Sequence, residues 1–428
     1  MKLVLIDATR LVVRLFTGKK STGVDRVSLA YVAHFSRSAR AVLSLGSRVV
    51  VLSEQNSAEL FEKILNADHK TIKKTYWLKW LMLYLTSSTD HASFSACLMF
   101  NTGHKGLDSI AYGRTLVKMG VRPIFFIHDL IPLTHAEYCR PNEDIKHKQR
   151  ITQAIKLGAG LILNSAYTES ILQDFAKEQK LQLPATVVSR LSAELPAQSS
   201  VQLSVPVDLV EPAAALPYFV MLGTVEPRKN HLMILQIWRN LFEQYGANTP
   251  KLIVIGQRGW ECEQVIDALE RSTAVRTHVV ENNDCSDTEL AGILQGARAL
   301  LFPSFVEGYG IPLVESLQLG TPVIASDIPV FREIGQSVPD FINALDGLGW
   351  LSAIEDYMRE YSVMRKAQLR RMTNYTHWSW CDHFSVVDGF INDLDKTNNI
   401  NNINNINNID DLKTLNTTNN ISHVAVAT

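Results

Sequence analysis

Two glutamates eight positions apart, Glu307 and Glu315, bracket the run Gly308-Tyr309-Gly310-Ile311. Glycines let a ligand approach the backbone closely, and Pro312 suits the first turn of a helix, where its missing N–H is no loss. Free N–H groups at such a helix start favour an anion or a polar sugar oxygen. Glu307 then faces whatever sits over the glycines. Glu315, a turn into the helix, can accept bonds from two neighbouring hydroxyls, as a ribose presents. Standing alone, the pair would read as two solvated helix-start acids, which the helix dipole favours. Set on a Gly-rich loop that leads into a helix, it reads as a grip on a polyhydroxylated ligand.

A second pair, Arg228-Lys229, precedes a helix that begins at His231 with Asn230 as its expected cap. Cations are disfavoured at a helix N-terminus. A bound anion gives them a reason, a solvated dipeptide being the plain alternative. A diphosphate is such an anion, and Arg with Lys would stabilise the charge growing on a departing nucleoside diphosphate. With two cations and a helix end for that work, no metal is required. A third pair, His128-Asp129, closes the apolar run 122–127. A His at the carboxyl end of a strand faces a cleft, where it can donate to a sugar oxygen or to developing phosphate charge. Asp129 either fixes its tautomer or bonds the backbone as a turn residue. The turns around Gly23 (22–26) and Asn101-Thr102-Gly103 are further strand-end loops suited to the acceptor side.

These groups need strands that end together. Apolar runs at 2–7, 48–53, 96–100, 122–127, 161–164 and 186–191 alternate with helical spacing, and the pattern resumes at 218–223, 251–256, 278–281, 299–302 and 321–326. The stretch 192–217 between them, punctuated by Pro196, Ser199, Ser200, Pro206, Pro212 and Pro217, reads as a linker. The expectation is an α/β chain of two Rossmann-like doubly wound domains facing across a cleft. The first domain spans 1–200 and the second 201–375. Residues 396–428 contain four NNI repeats, which cannot bury enough surface to fold alone.

The stretch VEGYGIPLVESLQLGTPVIAS resembles the E-x7-E donor site of retaining glycosyltransferases of family 4, which have the GT-B fold. GTVEPRKN resembles the phosphate-binding loop of the same family, and HDLIPL resembles members that transfer mannose in bacterial surface glycans. The resemblance implies a donor site of Gly223, Arg228, Lys229, Gly256, Glu307, Gly308, Tyr309, Gly310, Ile311 and Glu315, the base lying near Gly256. It implies that Glu307, His128, Arg228 and Lys229 carry the chemistry, with Gly23, Asn101, Gly103 and Asp129 on the acceptor side. It also implies a terminal segment, 376–395, crossing back to the first domain. The donor expected is GDP-mannose ahead of a UDP-hexose, and the acceptor a lipid-linked oligosaccharide of O-antigen or capsule synthesis. A nucleotide-sugar epimerase and a non-catalytic glycan-assembly subunit are the rival readings.

Bulk properties narrow the partners. The 428 residues hold 42 Lys and Arg against 43 Asp and Glu, so the whole chain is no nucleic-acid binder by charge. Five scattered cysteines without a C-x-x-C pair suit a reducing cytoplasm. Asp7 and Arg10 end the apolar N-terminus too early for a signal peptide, and no apolar run reaches membrane-span length. Residues 63–85 interleave Lys70, Lys73, Lys74 and Lys79 with Tyr76, Trp77, Trp80 and Tyr84. Such a helix suits an anionic membrane surface, peripheral on the inner face, and equally a lid docked by its Trp and Leu face.

Overall fold

The computed structural model describes residues 3–17, 22–66, 80–85, 91–193 and 216–401. The first sheet comprises β1 (Val4–Asp7), β2 (Ala39–Leu45), β3 (Arg48–Val51), β4 (Leu98–Asn101), β5 (Arg122–Ile127), β6 (Gly160–Leu163) and β7 (Ala185–Val188), in the order β3-β2-β1-β4-β5-β6-β7. The second comprises β8 (Tyr218–Leu222), β9 (Lys251–Ile255), β10 (Val279–Asn282), β11 (Ala299–Phe302), β12 (Val323–Ser326) and β13 (Asp340–Ile342), in the order β10-β9-β8-β11-β12-β13. β1, β4, β6, β11 and β12 are buried along their whole length. That is what a parallel strand covered by helices on both faces requires, and why these segments read as unbroken apolar runs.

One edge departs from the parallel pattern. β2 and β3 form an antiparallel hairpin, turning at Gly46 with φ +60°. The sequence reading has β3 alone there and misses Ala39–Leu45, which follows directly on the helix Gly23–Phe35 with little turn chemistry between. Strand order reverses between β1 and β4 in one sheet and between β8 and β11 in the other. Crevices beyond the carboxyl ends of such neighbours are where open α/β sheets bind ligands.

The final helix, Trp380–Asn401, packs on the first sheet rather than the second. A Cβ on Gly160 of β6 would lie 2.7 Å from the Phe390 ring, the Phe384 ring stacks on His34 at 3.9 Å, and Arg122 Nη1 bonds Asp395 at 2.7 Å. Of the basic, aromatic stretch, Lys70, Lys73, Lys74, Lys79, Tyr76 and Trp77 lie outside the described residues. Residues 80–85 are helical, with Trp80 buried in the core and Met82 and Leu85 exposed. The NNI repeats lie almost wholly outside the described residues.

Candidate active site

At the carboxyl end of β8 the chain turns at Gly223 and runs through a short 3-10 turn, Pro227–Lys229. This turn aims both cations at the loop after β11. Arg228 Nη1 bonds Glu307 Oε2 at 2.6 Å and Lys229 Nζ pairs with Glu307 Oε1. Arg228 Nη2 also meets Glu226 Oε1 at 2.5 Å, and Ser304 Oγ donates to Glu307 Oε1 at 2.7 Å. Lys229 Nζ stands 4.8 Å from the Phe302 ring centroid, and a Cβ on Gly223 would touch its Cε and Nζ at 3.4 Å. Burial works against charge on Glu307, yet Arg228 and Lys229 outweigh it and hold its pKa at about 2. For Glu226 burial wins and the pKa is raised, so Glu226 is the first of the two to lose its charge as pH falls, leaving the cluster cationic. Burial likewise lowers the Lys229 pKa, against the pull of Glu307.

The predicted roles of the two glutamates are therefore modified by partners invisible in the motif. Glu307 is held by both cations. Glu315, 2% exposed, pairs with Arg26 Nη1 of the first domain, whose Nη2 meets Asp287 at 2.9 Å. Burial raises the Glu315 pKa and Arg26 opposes the rise. Between the glutamates the loop docks on the other domain. A Cβ on Gly308 would strike His128 O and Asp129 Cβ, each at 2.7 Å, and Tyr309 Oη donates to Leu191 O at 2.8 Å. Gly310, at φ +119°, packs under Phe331, and Ile311 Cδ1 lies 3.0 Å from where a Gly23 side chain would begin.

On the first domain three imidazoles brace the strand ends. His128 Nε2–H donates to Thr102 O at 2.6 Å, which leaves its Nδ1 as an acceptor. His104 donates to Phe126 O at 2.5 Å and His147 to Asp129 O at 3.0 Å. Burial pushes the His128 pKa down to about 4. The tautomer of His128 is thus set by Thr102. Asp129 does the other thing expected of it, accepting from Ile131 N at 3.0 Å as a turn residue. Asn101 does not face the cleft with its amide: it is 1% exposed and donates to Tyr112 Oη and Lys105 O. Gly103 is covered by Arg10, whose Cδ would be 2.7 Å from an added Cβ. Gly256, beyond β9, abuts the backbone of Gly223, and a Cβ there would overlap Gly223 O. Asn230 is not the expected side-chain cap; at φ +57° it makes no cap bond and its Nδ2 donates to Ala344 O at 3.0 Å.

Sequence reasoning gave no site role to Arg10, Arg26, Glu226, His147 or Asp287, took Asp25 only as a turn residue, and took His104 only as the end of the strand-end loop 101–104. Asp25 carried a signal, since Thr22-x-x-Asp25 is a capping box; Asp25 also accepts from Arg10 Nε at 2.6 Å. Glu226 carried a local signal too, two positions before Arg228 within GTVEPRKN; Arg10, Arg26, His147 and Asp287 depend on contacts between distant elements. A small open crevice lies beside Glu307, between Asp129, Ile131, Thr134, Tyr167 and Thr168 of one domain and Val306 to Gly308 of the other. Among the described residues no three His, Cys, Asp or Glu side chains converge as a metal site, and no helix is long and apolar enough to cross a membrane.

Residues 212–337 match the family model Glycosyl transferases group 1. Over 153 residues the chain is 33% identical to the serotype-specific mannosyltransferase WbdA of Escherichia coli, taking in 36% of this chain and 18% of WbdA. Over 262 residues it is 26% identical to the O-antigen chain mannosyltransferase B of Escherichia coli, 57% of this chain and 64% of that protein. The chain therefore matches less than a fifth of the length of WbdA. The solved structure of Anabaena HepE in complex with UDP superposes with a TM-score of 0.59 over 92% of this chain and 100% of that one, at 13% identity, a likeness of fold.

Proposed function

We propose, for a chain with the GT-B fold and a group 1 glycosyltransferase domain at 212–337, that it transfers a hexose from a nucleotide sugar to a glycan with retention at the anomeric carbon. The donor is GDP-mannose and the acceptor a lipid-linked oligosaccharide of surface-polysaccharide synthesis. HDLIPL and the similarity to mannosyltransferases support the sugar. The observation that carries the reading is the convergence of Arg228, Lys229 and Glu307 at the switch point of the second sheet, with His128 and Asp129 of the first domain against Gly308.

In this reading the diphosphate lies against Arg228 and Lys229, drawing them from Glu307, whose freed carboxylate accepts from sugar hydroxyls. The ribose bonds Glu315. His128 Nδ1 accepts from the sugar across the cleft. The anomeric C–O bond to the diphosphate breaks, a new one forms to the acceptor hydroxyl, and the hydroxyl proton leaves with the nucleoside diphosphate. Two cations stabilise the departing charge in a buried setting, where each is worth most. The protein works in the cytoplasm, touching the membrane through 63–85; exposed Met82, Leu85 and Leu45, joined by the Tyr84 Oη bond to Leu45 O, support that face.

A thermal-shift panel of GDP-mannose, GDP, UDP-glucose and UDP tests the assignment. GDP-mannose should raise the melting temperature most, stabilising by about 2.7 kcal/mol at a hundredfold excess over Kd. A larger shift with UDP-glucose assigns a UDP-hexose donor. Epimerisation of donor with no acceptor present assigns the epimerase reading, and no shift with any nucleotide overturns the site.

A further inference from the structure

Four ring-bearing side chains meet where loops of both domains come together. His135 and Tyr138 lie on the loop after β5, Phe305 on the loop after β11 and Trp260 on the loop after β9. The Tyr138 and Phe305 rings are parallel to within 1° with centroids 5.4 Å apart, and His135 follows on Tyr138 at 6.2 Å and 16°. Packed carbon planes stand about 3.5–4 Å apart. Rings at these centroid distances are therefore offset, and each step leaves part of a ring face beyond the edge of its neighbour. All four rings are half-buried. Trp260 Nε1–H donates to Tyr138 O at 3.3 Å, which ties the staircase to the second domain, and the exposed Arg140 guanidinium stands 5.0 Å from the Trp260 ring centroid. The crevice beside Glu307 runs into this staircase along both walls. Thr134 on one wall is followed by His135, which pairs with it through Nδ1 at 2.8 Å, and Val306 on the other is preceded by Phe305.

We propose that His135, Tyr138, Phe305 and Trp260 form a saccharide platform: they carry the sugar residues of the acceptor oligosaccharide that lie behind the one being extended. The inference rests on the chain being a transferase that extends a glycan, and it names where that glycan lies. A pyranose has an apolar face of C–H groups and a polar rim of hydroxyls. It is matched by a flat ring that is apolar on its face and wet at its edge. Glu137 and Arg140 of the same loop are exposed and can meet the hydroxyls. Offset ring faces suit a chain of sugars better than a single sugar, because successive residues find successive steps.

The test titrates the full chain with α-mannotriose by calorimetry, with GDP present, or UDP if the panel selects it, and compares wild type with Tyr138→Leu and Tyr138→Phe. Leucine keeps apolar bulk without a flat face; phenylalanine keeps the face without the hydroxyl. Tyr138→Leu should bind mannotriose about fivefold more weakly than wild type, the scale of one ring stack. Tyr138→Phe should bind it as wild type does, and the affinity for GDP should be the same in all three. Equal mannotriose binding by Tyr138→Leu would make the rings interdomain packing alone and overturn the platform. A fall in GDP affinity would place them on the donor and overturn it too. Wild type should bind mannose more weakly than mannotriose; equal binding leaves no place for successive sugars and also overturns it. Should Tyr138→Leu fail to fold, His135→Leu removes the outer ring and the same comparison decides. Wild type that binds GDP but not mannotriose overturns the platform and leaves the donor assignment standing. Wild type that binds no nucleotide overturns the donor assignment, while the mannotriose titration still reports the rings.

Discussion

Glu307 bonds two cations at once, and its charge is what allows Arg228 and Lys229 to be buried together. Glu307→Gln would leave Lys229 without a carboxylate and Arg228 with Glu226 alone. Breaking a buried ion pair from one side costs about 3–5 kcal/mol, so the melting temperature of the variant should fall by several degrees. A diphosphate against the same cations would replace the missing charge. GDP should therefore raise the melting temperature of Glu307→Gln by more than it raises that of wild type. An equal or smaller rise would count against the diphosphate lying there. The motif identifies Glu307 by its place before the glycines, and Arg228-Lys229 by adjacent charge. That the three would pair with one another, with Glu226 balancing the remaining positive charge, is not written in either motif.

At the scale of elements, the site is a set of strand-end loops held from behind. The helix Glu143–Leu157 brings His147 beneath the loop after β5, where its Nε2–H satisfies the carbonyl of Asp129. Asn164, after β6, satisfies the carbonyl of His128 at 2.7 Å in the same way. A buried carbonyl left without a donor costs about 1–3 kcal/mol, and it would free His128 and Asp129 to shift against Gly308. His147→Ala should lower the transfer rate at saturating donor roughly tenfold or more, since small misplacements of reacting groups are expensive, with a smaller effect on donor KM. His147→Asn retains a donor and should recover part of the rate. Equal losses in both variants, with KM rising in step, would reduce His147 to a structural part. The strands and the Gly-loop-helix were legible because their apolar runs, glycines and prolines act within a few residues. The hairpin β2–β3 was not, because Arg40 and Ser44 interrupt the apolar run of Ala39–Leu45 and only Ser36-Arg37-Ser38 separates it from the helix before it.

The whole molecule should be acid-labile through its buried imidazoles. Burial lowers the pKa of His128 to about 4, of His383 to about 4 and of His231 to about 3, whereas the unfolded chain titrates near 6.5. Between those values the unfolded state binds more protons. The stability these residues contribute is thus complete above pH 6.5 and falls as pH drops toward 4, by up to about 1.4 kcal/mol per pH unit for each histidine. Asp7, Glu226 and Glu315, whose pKa values are raised by burial, act in the opposite direction at low pH and shallow the slope. Melting curves from pH 7 to pH 4.5 should show a steady decline that His383→Phe reduces. His383 is the informative choice because it lies outside the cleft, bonded to Tyr31 and Ser189 where the last helix meets the first sheet.

The amino-acid sequence by itself determined the α/β class, and it marked a candidate linker and the candidate groups for chemistry. These are local properties: a glycine's freedom, a proline's fixed angle, the period of an apolar run and the charge of adjacent residues. Only the tertiary structure decided what each group is bonded to. Asn101 reads as a cleft-facing amide but is turned inward by Tyr112, itself bonded to Asp7. Arg26 meets Glu315 from 289 positions away. Such pairings arise where strand ends of separate sheets converge, and no spacing along the chain encodes the distance between them.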